Sequence, residues 1–147
     1  MNLIWILMNG GVLLWIAVYD QRTHYIQKMA LLCLFGTVLL EQFYSLIKGS
    51  KTLGQVGVQC CISIVYFLVF LLLSHISGEQ FGMGDVKLIG IQAMRYSWMT
   101  YLLILATAFF LCSLYVFVGM VFRRWKKKDT VAFVPFLAGS IGLYMLL

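Results

Sequence analysis

Long apolar runs separated by short polar connections fill this sequence. Residues 3–19 form the first run, which closes abruptly at Tyr19-Asp20. A polar connection over 20–28 (DQRTHYIQK) leads to a second run at about 29–47, interrupted only by Glu41. Residues 48–55 (KGSKTLGQ) have the composition of a loop. The third run, about 56–76, is long enough to cross a hydrocarbon core of about 30 Å. Residues 88–122 are apolar except for Arg95 and a few small polar groups. As one helix they would measure about 52 Å, too long for a single span. Arg95-Tyr96-Ser97-Trp98 supplies a polar, aromatic break. The last run, 131–146, carries the only proline, Pro135, expected to loosen its first turn.

The pattern therefore predicts an all-α integral membrane protein of one domain, without an internal repeat. Its six helices are expected at about 3–19, 29–47, 56–76, 85–96, 98–122 and 131–146. Composition agrees. Hydrophobic residues make up 63% of the chain and mean hydropathy is +0.95, against an apolar share of roughly 45–50% in soluble domains.

The net charge of +6 changes the picture only through its distribution. Most of the excess lies in Arg123-Arg124-Trp125-Lys126-Lys127-Lys128, between apolar runs. Such runs mark cytoplasmic loops and also suit anionic headgroups, so nucleic acid is not an expected partner. Met1-Asn2-Leu3 lacks the basic start of a signal peptide, which favours a retained first span. Dividing 88–122 into two spans puts Arg22, Lys28, Lys87 and the basic run on one side. Only Lys48, Lys51 and Arg95 remain on the other. By the positive-inside rule, both termini then lie outside a plasma membrane.

Several features carry no chemistry. Cys33, Cys60, Cys61 and Cys112 lie in apolar runs without C-x-x-C spacing and read as small hydrophobes. His24 and His75 have no ligand-spaced neighbour, so neither a metal nor a cofactor is expected. Gly10-Gly11 suits either close helix packing or flexible filler. Glu41 either snorkels or pairs with Lys48.

The chemistry is concentrated in Gly82-Met83-Gly84-Asp85-Val86-Lys87. A carboxylate at the edge of hydrocarbon is costly, and its partner is worth finding. Asp20 closes the first run and Asp85 opens the fourth, so an even number of spans separates them and both fall on one face. Two facing carboxylates can share a proton, one acting as base toward water while the other polarises a carbonyl. Gly82 and Gly84 would let the backbone take unusual dihedrals and a peptide approach closely. Lys87 either biases the carboxylates' titration or pairs with lipid phosphate. The competing reading makes Asp85 only a helix N-cap.

Gly82-Met83-Gly84-Asp85-Val86-Lys87 resembles the G-x-G-D-x-K signature of the type IV prepilin leader peptidases, a branch of the GxGD aspartic membrane proteases. Asp20-x-Arg22-x-x-x-Ile26 is similar to that family's first-aspartate motif, although position 27 is Gln where Pro is usual. Val134-Pro135-Phe136 is similar to a late Pro-Phe element of the family. The resemblance implies a six-helix protease core with Asp20 and Asp85 catalytic. It also implies cleavage of leader peptides from prepilin-like precursors at the cytoplasmic face, with no cofactor. The methyltransferase part of larger members has no counterpart here, so a protease-only member is expected. Homo-oligomerisation is left open. Tyr19-Asp20 with G-x-G-D also resembles presenilin-type proteases, whose Pro-Ala-Leu element is absent. A transport subunit or non-catalytic assembly subunit is the competing class.

Overall fold

The computed structural model describes residues 3–23, 26, 28–76, 82–122 and 131–146. These form six helices: α1 (Leu3–Thr23), α2 (Lys28–Ile47), α3 (Leu53–Ile76), α4 (Met83–Ala93), α5 (Trp98–Val121) and α6 (Val134–Leu146). No strand occurs among the described residues. Helices α2, α3 and α5, of 20, 24 and 24 residues, are long and apolar enough to cross a membrane. Their surfaces agree, since Leu68, Phe110 and Phe117 are each more than half exposed. Such an outer surface fits hydrocarbon, whereas water would drive it inward.

Helix α4 is different. Its 11 residues rise only about 16 Å, half a bilayer core. It packs on α2 and α3, while α1 packs on α2 and α6, and α5 on α6. Val86, Leu88, Ile89 and Ala93 are fully buried. Gly90 allows a close approach to α3, because a Cβ there would stand 3.1 Å from Phe67 Cβ. Ser63 Oγ donates to the Gly90 carbonyl at 2.6 Å, and the buried Tyr101 hydroxyl donates to the Ile89 carbonyl at 2.7 Å. Thus α3 and α5 are both tied to the α4 backbone.

The break in 88–122 falls at the expected Arg95-Tyr96-Ser97-Trp98 stretch. Helix α4 ends at Ala93, and Ser97 caps α5 by accepting from the Thr100 amide at 3.4 Å. Arg95 nevertheless does not face water. It is buried, with Nε 2.7 Å from Glu41 Oε2 and Nη2 3.3 Å from Glu41 Oε1. Glu41 therefore neither snorkels nor pairs with Lys48, whose ammonium lies over the Tyr44 ring. Asn9 of α1 joins the layer, 3.5 Å from Glu41 Oε2 and accepting from Thr37 at 3.0 Å.

Two local expectations need correction, and one open alternative is decided. Helix α3 begins at Leu53 because Thr52 and Gln55 bond reciprocally, the Thr52 amide to Gln55 Oε1 and the Gln55 amide to Thr52 Oγ1. This capping box satisfies amides that the loop reading left open. Pro135 stands second in α6, where no intrahelical amide is needed, so it starts the helix rather than loosening it. Gly10 and Gly11 meet nothing within 4 Å of an added Cβ and mediate no close packing. The basic run at 123–128, His24 and Gln27 lie outside the described residues.

Candidate active site

Asp20 lies near the C-terminal end of α1 and is only 6% exposed. Asp85 is the third residue of α4. The two line one cavity of about 270 Å³ together with Ile26, Lys28, Leu31 and the Gly82–Gly84 segment; Lys87 completes the wall. All five predicted site residues are thus brought together: Asp20, Gly82, Gly84, Asp85 and Lys87.

The local sequence explains how Asp85 is presented. The N-cap of α4 is Gly82, which makes no side-chain cap hydrogen bond. Asp85 therefore does not cap the helix. Its amide donates to the Gly82 carbonyl at 3.0 Å, which starts the first turn, and its carboxyl stands in that turn near the positive end of the helix. Gly82 has φ −59° and ψ 132°, ordinary extended backbone, so the expected unusual dihedrals are not what it supplies. A Cβ there would be 3.5 Å from Asp85 Oδ2, an ordinary contact.

Gly84 has a steric reason to be glycine. A Cβ at this position would stand 3.0, 3.1 and 3.2 Å from three side-chain carbons of Ile26. Ile26 is buried and belongs to the connection between α1 and α2. The approach of this connection to the α4 N-terminus brings Asp20 and Asp85 to the same cavity. Ile26 stood in the first-aspartate motif, but its contact with Gly84 was not legible there. Lys28 had served only in the charge count.

The electrostatics follow from this placement. Asp85 lies outside the three helices long enough to cross a membrane. Burial pushes its pKa from the ordinary carboxylate range up to about 7, and the charge of Asp20 adds to the effect. Oδ1 of Asp85 is buried with no partner among the described residues. Desolvation and a like charge both favour the protonated form of Asp85. Asp85 also borders a second, more apolar space of about 470 Å³, formed by Phe109, Cys112 and Phe117 of α5 with Phe133 before α6. An acid on Asp85 and a carboxylate on Asp20 could together add water to a carbonyl presented between them. Among the described residues, no cluster of three or more His, Cys, Asp or Glu could hold a metal.

Comparison with protein-family models, with curated proteins and with solved structures returns no match to this chain.

Proposed function

We propose that this chain is an aspartic endopeptidase of the membrane, with Asp20 and Asp85 as its catalytic pair. The observation that carries the reading is the shared cavity: two carboxyl groups, 65 positions apart, line one small space in which the charge of Asp20 acts on Asp85. Asp85, protonated, donates to the scissile carbonyl oxygen. Asp20, ionised, takes a proton from water as the remaining hydroxide adds to the carbonyl carbon. The tetrahedral species collapses with cleavage of the C–N bond, and the amine nitrogen leaves with a proton relayed from the pair. Gly82 lines the cavity beside the carboxyl, and Gly84 fixes the approach of α4 to Ile26.

The substrate class comes from the resemblance to prepilin leader peptidases: precursors with a short basic leader before an apolar helix. In this reading all six helices form the protease core. The charge distribution then puts the site at the cytoplasmic face of the plasma membrane, where such a leader begins. The test is cleavage of a prepilin-like precursor in membranes containing the full chain. Asp20→Asn and Asp85→Asn should each lower cleavage at least about a hundredfold, while inserting and accumulating normally. Full activity in either variant rejects the pair. Inactivity of the unaltered chain on such precursors, with pair-dependent cleavage of another membrane helix, would favour the presenilin-like alternative.

A further inference from the structure

A second groove opens beside the carboxyl cavity. It lies between α2, α3 and α4, has a volume of about 440 Å³, and is walled by Leu31, Phe35, Ile64, Phe67 and Ile91. Its floor is closed where Ser63 bonds to the Gly90 carbonyl. Lys28 and Lys87 line this groove and the carboxyl cavity alike, so they stand where the two spaces join. Both side chains are exposed, and neither forms an ion pair among the described residues. Lys28 is the first residue of α2, one of the three helices long enough to cross a membrane, so this end of the groove lies at the hydrocarbon boundary.

We infer that this groove binds one anionic phospholipid, an acyl chain lying along Phe35, Ile64 and Phe67 and the phosphate held between Lys28 and Lys87. The groove wall matches an acyl chain, and two ammonium groups at its mouth, without an ion pair among the described residues, match a phosphate. Basic pockets between membrane helices hold headgroups in this way. Its volume lies within the range of specific ligand sites, about 300–1,000 Å³. A zwitterionic lipid would bring its own cation to the two lysines and lose the advantage. The inference rests on placement in a membrane and is independent of whether Asp20 and Asp85 cleave anything.

The test is native mass spectrometry of the full chain in mild detergent, titrated with phosphatidylglycerol or phosphatidylcholine. One saturable phosphatidylglycerol is expected, bound at least about tenfold more tightly than phosphatidylcholine, as about 1 kcal/mol per lysine implies. Lys28→Gln and Lys87→Gln should each weaken it about fivefold and together about twenty-fivefold, on the same basis. Lys28→Arg and Lys87→Arg should retain binding, and Lys48→Gln, away from the groove, should not alter it. Ile64→Trp, at a position 58% exposed, should fill the groove and weaken binding with both charges intact. Melting temperatures without lipid establish that each variant is folded. Equal binding of the two lipids overturns the proposal. So does a Lys48→Gln effect equal to that of Lys28→Gln, or an unchanged affinity in Ile64→Trp. Saturable binding of an apolar helical peptide in place of any lipid would assign the groove to a partner helix and overturn it as well.

Discussion

The surroundings of Asp85 favour its protonated form. Burial, and then the charge of Asp20, carry its pKa to about 7. If Asp85 is the acid, activity requires its protonated form, so kcat/KM should fall as pH rises through about 7 and decline about tenfold per unit beyond it. A pH profile with the solubilised protein checks this; activity unchanged to about pH 9 would remove Asp85 from the acid's role. Gly84 makes a separate prediction. Alanine there crowds Ile26, and overpacking of this kind costs about 1–3 kcal/mol. Gly84→Ala should lower both unfolding stability and cleavage, whereas Gly84→Ala with Ile26→Ala should lose less than the sum of the single changes. A double-mutant cycle of unfolding in mild detergent measures the difference. The carboxylates were legible in the sequence because charge is rare there and expensive in apolar surroundings. The Gly84–Ile26 contact was not, because steric complementarity between distant positions leaves no local pattern.

At the scale of elements, α4 is fastened at both ends. Gly84 meets Ile26 at its start, while just past its end Arg95 grips Glu41 of α2 and the Met94 carbonyl accepts from Gln42 at 2.6 Å. The ion pair is buried, so desolvation offsets much of its attraction. The Arg95 Nη1, the Gln92 amide group and the Tyr96 hydroxyl add buried atoms without partners among the described residues. Breaking the pair should nevertheless be severe. Arg95→Met leaves Glu41 buried without its ion-pair partner and should cost about 3–5 kcal/mol. The double variant Glu41→Leu with Arg95→Met should cost less than Arg95→Met alone, as unfolding measurements would show. Helix positions were largely legible from apolar run length. The partners of Glu41 and Arg95 were not, because charge counting treats Arg95 as a loop cation, and only packing shows that 54 residues of chain return it to α2.

Among the described residues, the long helices carry exposed apolar side chains, and the buried charged groups lie in two internal places. One is the Glu41–Arg95 layer, the other the cavity of Asp20 and Asp85. The membrane class was legible from composition, because no soluble fold can bury so large an apolar share. The separate spaces around Asp85 were not, since cavities arise from the fit of several helices. Between these two polar places runs α4, with about 12 Å of rise from Asp85 to Ala93. That short helix works as a gauge. Its length sets how far the carboxyl stands from the ion pair, and its winding sets the direction in which the carboxyl points. One residue added or removed within it, with its lower end held by Arg95, would swing Asp85 through about 100° and away from Asp20. The length of α4 thus sets the bearing of the carboxyl, a constraint separate from the close packing that Gly84 and Gly90 allow.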